Sequence, residues 1–575
     1  MLTCQIKFAD YLKKLEVTLQ DTEISHDASL LERVLHTELL LPVIGAFSAG
    51  KITLLNTLIG QQTLPVGIAP ETELATELRY SPEPYIIAIK HNGEEDHFHI
   101  DSLGEINKHA SKYSHLQAYI DSPALKEIAP LVLVDMPGFG SSLENHNKAI
   151  EFYLPRGVHF IVVTSIEDGN LTRSMIRRLD EIKTYDSDFT FILSKCNLRA
   201  AQQVEDVAAY INEQLQDYFQ ADHRVTTLGN QTSAPFARVL QSINAEALFS
   251  HLFLETLKNQ NMDVLGQISL AASALKRSGE ETKQALQGLE QAMRRLREQK
   301  AEAEAQVRQR YSGRLLDRCI RGVENDLNAE IDNLSALAVS SNSRLSNAIG
   351  DIMRSSLNNN LKRELEDISD SMIADFANGL SVEGKEMATF NQDQDWINDL
   401  TQNAKAKFER LGDKLHNLSE SLSQLSEKEN KGTDSSKNPI SPTFYRVATT
   451  SLAVTTSIVL PVIELAIIFL PDILRFLSSL GAKEKARERL QSEVFPGIKA
   501  ELRKSLPPFL DEQLEFMIKK IGGVFEQQIA QQQSIIVTYE KQHAENAAQN
   551  AERLQKLETL ASEIKNLANN YLYTA

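Results

Sequence analysis

The chain has 575 residues, 42% of them apolar and 24% charged, enough apolar material for packed cores in several domains and too much for wholesale disorder. Lys plus Arg is 60 against 78 Asp plus Glu; the resulting charge of −18 counts against general binding to nucleic-acid phosphates. Its three cysteines (Cys4, Cys196, Cys319) lie far apart, which excludes a disulfide framework or a zinc spacing and points to free thiols in a reducing compartment.

Residues 1–37 read as amphipathic helix, with Leu12, Leu15 and Leu19 on one face, and contain no run of signal-peptide type. Cytoplasmic residence is the expectation. From 38 to 245 short apolar runs alternate with helical stretches: LLLPVIG, YIIAIK, LVLVDMPG, HFIVVTS, FTFILSK and RVTTLGN. Such runs predict buried parallel strands of an α/β sheet. Pro42 within the first run predicts a bulge or a strand end, since proline removes a ladder donor. His97 and His99 alternate around Phe98, as on one face of a strand.

Between Phe236 and Asn438 there is no proline, and helix formers dominate. Leu286, Leu289, Met293 and Leu296 form a helical seam that breaks at Lys300, so an antiparallel bundle is expected. Residues 427–443 read as a loop. An apolar block, Leu452 to Leu470, follows. At ~1.5 Å per residue it would nearly cross a ~30 Å hydrocarbon core. Glu464 opposes a span, at roughly 2.5 kcal/mol or more for a charge at mid-bilayer, and Pro461 and Pro471 interrupt it. Two short helices meeting near Pro461 and dipping into one leaflet fit better. Leu452, Ile458, Leu460, Ile463, Ile467 and Phe469 are the expected lipid contacts, and the Lys/Arg excess over 475–504 would sit on anionic headgroups. A hairpin buried within the protein is the competing reading. The last helical stretch carries Leu554, Leu557, Leu560, Ile564 and Leu567 on a related face.

Chemistry concentrates in three places. After the first strand-like run comes Gly45-Ala46-Phe47-Ser48-Ala49-Gly50-Lys51-Ile52-Thr53 and then a helix. Strand, glycine-rich loop, helix is the setting of a phosphate-binding loop: backbone N–H groups wrap phosphates, and Lys51 reaches the β- and γ-phosphates. The pattern calls for Ser or Thr after that lysine, to ligate Mg²⁺. Ile52 stands there, and Thr53 is rotated away by ~100°. Asp135 closes the apolar run 131–135, placed to hold Mg²⁺ through water, and the Gly138 N–H can sense a γ-phosphate. Ser194-Lys195-Cys196-Asn197 is similar to the base-reading [NT]KxD motif of GTPases, and Thr227 falls where a second base-contacting loop is expected. Asn197 replaces the aspartate. An amide cannot accept from both guanine N1–H and N2–H₂, so guanine selectivity should weaken and a base with a carbonyl there, such as xanthine, should gain.

With these motifs in this order the sequence resembles the dynamin superfamily, specifically bacterial dynamin-like proteins. GAFSAGKITLLNTLIG, LPVGIAPETELATELRY and DMPG carry the resemblance, together with the long helical region and its apolar insertion. The implied fold is an α/β P-loop GTPase domain plus an elongated all-α helical bundle, stalk or neck, with an apolar tip. The implied organisation is N-terminal helices joining the bundle (1–37), a GTPase domain (38–245), a helical bundle (246–440), a membrane-binding paddle (441–482) and C-terminal helices returning to the bundle (483–575). By the same resemblance Thr72 matches the switch threonine that closes over Mg²⁺ and the attacking water. Ser48 matches the loop serine that helps neutralise leaving-group charge. Ser48, Lys51, Thr72 and Gly138 are thus the expected catalytic set, with Asp135 and Thr72 at the metal. GTP/GDP and Mg²⁺, the latter weakened by Ile52, are the implied cofactors. A lipid membrane, a second copy through the GTPase domain and a paralogous dynamin-like protein are the implied partners, and peripheral membrane attachment the implied location. The expected function is nucleotide-coupled membrane binding and remodelling. Two alternatives stand beside it: a nucleotide-binding membrane scaffold with little or no hydrolysis, motivated by Ile52 and Asn197, and a soluble structural helical protein.

Overall fold

The computed structural model describes residues 1–46, 48–64, 74–138, 149–184 apart from 151 and 155, 187–219, 225–229, 233–276, 313–341, 344–364 apart from 362, 483–511 apart from 509, and 547–573, with single residues between 305 and 538. The helical seam at 286–296, the loop at 427–443 and the apolar block at 452–470 lie outside the described residues.

A nine-stranded sheet organises the α/β unit: β1 (Leu39–Gly45), β2 (Thr76–Tyr80), β3 (Tyr85–Lys90), β4 (Glu95–His99), β5 (Tyr113–Ile120), β6 (Leu131–Asp135), β7 (His159–Ser165), β8 (Asp188–Ser194) and β9 (Thr226–Thr227). Their spatial order is β4-β3-β5-β2-β6-β1-β7-β8-β9. The half from β6 to β9 is parallel. The other half is not: β2 runs antiparallel to β6, and β3 antiparallel to both β4 and β5. This corrects the all-parallel expectation for YIIAIK. The physical reason is the connection: residues 91–94 turn β3 directly into β4, and parallel neighbours need a longer crossover. β2, β4 and β5 carry alternating or polar residues, so no continuous apolar run announces them.

Pro42 produces neither a bulge nor a strand end. β1 is buried throughout and pairs with β6 in unbroken register from Leu39↔Leu131 to Val43↔Asp135. On the other side the ladder with β7 begins only at Val43↔Ile161, and a Cβ on Gly157 would lie 2.8 Å from Pro42 Cδ. The proline ring faces chain that approaches without a ladder, so the missing donor breaks no sheet bond.

Two apolar layers cover the sheet. On one side Leu39, Leu41 and Val43 of β1 join α1 (Thr3–Leu19), α2 (Ser29–His36), α3 (Lys51–Ile59), α5 (Pro123–Ile128), α8 (Ser233–Ser242) and α9 (Ala245–Lys276); α4 (Leu103–Asn107) packs here as well. The same cluster takes in Leu557, Leu560, Ile564 and Ala568 of α12 (Ala547–Ala568). On the other side Leu40 and Ile44 pack with α6 (Arg173–Thr184) and α7 (Ala201–Phe219). Helices α1, α9 and α12 therefore share one continuous core with the sheet.

The remaining described helices form a second body. Residues 313–329 lead into α10 (Ile331–Ser340); 344–361 and the run beginning with α11 (Lys483–Arg489) pack beside them. Ion pairs Arg487–Asp332, Lys499–Glu324 and Arg503–Asp317 give descending partner numbers, so this last helix is antiparallel to 313–340. Arg318–Glu364, and Gly322 lying against Asn360, give the same sense for 344–364. Among the described residues no helix is long and apolar enough to cross a membrane.

Candidate functional site

The carboxyl ends of β1, β6, β7, β8 and β9 point the same way, the end of an open parallel sheet where ligands bind. β1 ends at Gly45, where a Cβ would sit 2.2 Å from the Val163 carbonyl oxygen, so only glycine lets the two strands approach so closely. The chain turns through Ala46, Ser48 and Ala49, and Gly50 adopts φ 85° in the left-handed region before α3 begins at Lys51. Phe47 and Thr72 lie outside the described residues. Ser48 is exposed and Ala49 buried. Gly60, at φ 84°, ends α3.

Lys51 is buried, and its Nζ donates to the carbonyls of Gly45 at 2.8 Å and Ala46 at 3.1 Å. Burial pushes its pKa down to about 8, partly offset by the nearby Asp135. Asp135, at the end of β6, is 1% exposed, and its Oδ1 has no hydrogen-bond partner among the described residues. Burial pushes its carboxyl up to about 7, with Lys51 pulling the other way. An orphaned carboxylate facing a buried ammonium, at the mouth of a loop whose N–H groups start a helix, is a place for an anion and its counter-cation.

Ile52 and Thr53 complete the loop without completing a metal site. Ile52 is half-buried and packs against the apolar cluster on the α3 side, whereas Thr53 is exposed. Asp135 fits a water-mediated Mg²⁺ contact; Ile52 offers the metal nothing. Gly138 ends the described run after β6, three residues beyond Asp135.

The residues expected to read a base sit at the ends of the next two strands. The Ser194 hydroxyl donates to the Ala49 carbonyl at 2.6 Å and lies 3.0 Å from that of Thr164, so it ties the phosphate loop to β7 and β8. Lys195 takes φ 56°, and its Nζ pairs with Glu167 at 3.0 Å. A Cβ on Gly50 would lie 4.0 Å from Lys195 Cε, which puts this stem across the phosphate loop. Asn197 is exposed in a short 3-10 turn, Cys196–Leu198. The Cys196 N–H donates to Leu228 O at 3.0 Å, the Leu228 N–H to Leu193 O at 2.8 Å, and Gly229 lies beside Asn197. Thr227 pairs with Leu193 at the strand end just before this turn. Gly45, Ala46, Ser48, Ala49, Gly50, Lys51, Asp135, Ser194, Lys195, Asn197 and Thr227 are therefore gathered at one end of the sheet.

Two contributors escaped the sequence reading. Glu167 holds Lys195 across the mouth, and no motif marks it. Asn56 is buried on α3 and binds the backbone of Leu64 in both directions, Nδ2 to O at 2.8 Å and N–H to Oδ1 at 2.9 Å, anchoring the chain where it enters residues 65–73. A polar residue on the apolar face of LLNTLIG was the available signal.

Residues 41–196 match the Dynamin family. Over 175 residues the chain is 27% identical to a probable transmembrane GTPase, FZO-like and chloroplastic, of Arabidopsis thaliana, covering 30% of this chain and 17% of that one. Over 185 residues it is 27% identical to dynamin-like protein 2 of Campylobacter jejuni, covering 31% and 29%. Among solved structures it is similar to LeoA, a bacterial dynamin GTPase from ETEC, at 12% identity and TM-score 0.32, covering 98% of this chain and 97% of that one. The chain spans about half the length, or less, of the curated relatives it matches. The α/β unit is a GTPase domain of the dynamin superfamily.

Proposed function

We propose that this protein is a dynamin-like GTP-binding protein that couples nucleotide binding and hydrolysis to membrane binding and remodelling. The observation that carries the nucleotide half is a buried Lys51, held on two loop carbonyls, near a buried Asp135 whose Oδ1 has no partner among the described residues, at the mouth of the 45–51 loop. Lys51 would exchange two loop carbonyls for phosphate oxygens, and loop N–H groups would hold the remaining charge. Mg²⁺, when bound, would supply positive charge at the phosphates, with Asp135 reaching it through water. Ser48 is the candidate for leaving-group neutralisation, Thr72 for closure over Mg²⁺ and the attacking water, and the Gly138 N–H for sensing the γ-phosphate. The membrane half rests on the apolar residues Leu452, Ile458, Leu460, Ile463, Ile467 and Phe469 and on the membrane-associated name of the plant relative. Pairing of two copies through the GTPase domain and a paralogous partner belong to the same reading.

A second reading is favoured by the packing of Ile52 into the apolar cluster: a membrane scaffold that binds nucleotide with little hydrolysis. Equilibrium binding of a fluorescent guanine nucleotide, with and without Mg²⁺, tests both. Binding lost in Lys51→Ala and liposome flotation enhanced by GTP support the first; unchanged flotation and turnover with a nucleotide that does bind support the scaffold. Binding that ignores Lys51 refutes the site. Ile52→Ser should raise Mg²⁺-dependent turnover if the missing hydroxyl limits it.

A further inference from the structure

The second helical body meets the GTPase domain through charges. Arg354, on the helix 344–361, is 1% exposed and donates to both carboxylate oxygens of Glu181 on α6, at 2.8 and 3.1 Å. Arg178, also on α6, pairs with Glu181 and with Asp351, the latter at 3.1 Å. Around this core Arg177 pairs with Glu330 at 2.6 Å, Arg173 binds the Ala329 carbonyl, and Asn359 donates to Asp180 at 3.0 Å. The two apolar clusters of the GTPase domain contain no described residue of 313–364 or 483–511. That body has its own apolar interior, including Leu327, Leu345, Ile349, Leu357, Leu490 and Leu502. The contrast with α1, α9 and α12, whose core runs without a break into the sheet, is complete among the described residues.

We propose that this seam is a releasable ionic latch: Arg178, Glu181, Asp351 and Arg354 hold the body 313–364/483–511 against α6, and the body swings away when they part together. A joint of this composition separates more readily than an apolar one. Parting returns two cations and two anions to water at once, and their hydration offsets the lost pairing. An apolar joint of the same area would expose surface with no such return. Polar contacts between bodies with separate cores are also where relative motion is expected. The latch stands on the ion pairs alone, whichever nucleotide the site takes. It also adjoins the nucleotide site along the chain: α6 follows the 166–172 loop, whose Glu167 holds Lys195.

The test uses the full chain with Asp180→Cys and Asn359→Cys, side chains in contact in the docked state, and a short bismaleimide whose product is identified by peptide mass. The cross-link should form at low salt. It should form about tenfold more slowly in 1 M salt, and as slowly in Arg354→Glu, which strands three anions with one cation. The doubly apolar Glu181→Leu/Arg354→Met variant should keep the cross-link with a weaker salt dependence, because Arg178–Asp351 and Arg177–Glu330 then still bridge the seam. This last arm carries the test if Arg354→Glu does not fold, as judged by its melting curve. Absence of the cross-link in every background would overturn the docking. Rates indifferent to salt and to both variants would overturn release, and a salt dependence undiminished in the apolar variant would overturn the assignment of the latch to Glu181 and Arg354.

Discussion

Replacing Asp135 with asparagine should change how the ligand-free protein responds to pH. The Asp135 carboxyl is raised from 3.8 to about 7, so the folded state holds its proton more tightly than the unfolded chain does. A group shifted in this direction contributes stability that is full below the unfolded value and is lost as pH rises through the folded one. Three units at ~1.36 kcal/mol each make roughly 4 kcal/mol, drained between about pH 4 and pH 7. Lys51 behaves oppositely: lowered from 10.5 to about 8, its contribution is present above the unfolded value and lost as pH falls through about 8. The ligand-free site is therefore least comfortable between the two, near neutrality, where both groups are charged or nearly so. An amide at position 135 cannot ionise, so urea midpoints measured from pH 5 to 8 should fall for the wild type relative to Asp135→Asn, the gap widening with pH. Midpoints of the two proteins that run parallel across this range would refute the argument that Asp135 is held buried and unsatisfied.

Asn197→Asp should restore acceptance from both guanine donors and raise the preference for GTP over XTP about tenfold to a hundredfold, measured by competition against a fluorescent nucleotide. An unchanged ratio would mean that position 197 does not read the base. Gly45→Ala should abolish nucleotide binding and lower the melting temperature, because its Cβ would fall 2.2 Å from the Val163 carbonyl, backbone that cannot step aside without parting β1 from β7.

What could be read in the sequence follows the range of the interactions. The glycine-rich turn after β1, the Asp135 strand end and the 194–197 turn were legible as places in the fold because each is a local pattern: an apolar strand followed at once by a short loop. The α12 face was legible for the same reason, since Leu557, Leu560 and Ile564 recur at helical spacing and are buried together. The YIIAIK strand and the strand around His97 and His99 were legible too, but the antiparallel sense of that half and the presence of β2 and β5 were not. β2 reads TELRY and β5 YSHLQAYI, and a strand with one polar face has no run of apolar residues to betray it. Pro42 misled because a proline's cost depends on which neighbour faces its nitrogen, a fact of register that sequence does not carry.

The seam between the two bodies lies furthest from sequence view. Arg354 meets Glu181 across 173 residues of chain, and each alone reads as an ordinary charge on a solvated helix face. Nothing in composition separates a charge that faces water from one that faces another charge in the interior. Yet the distinction matters mechanically. Two helical bodies leave the same GTPase domain, one through leucine and phenylalanine side chains continuous with the sheet, the other through guanidinium and carboxylate. The first must follow any movement of the domain, because parting it would open the core. The second is free to part from it. One attachment is thus continuous with the core and the other ionic, and α9 with α12 on one side and α6 on the other supply this pair.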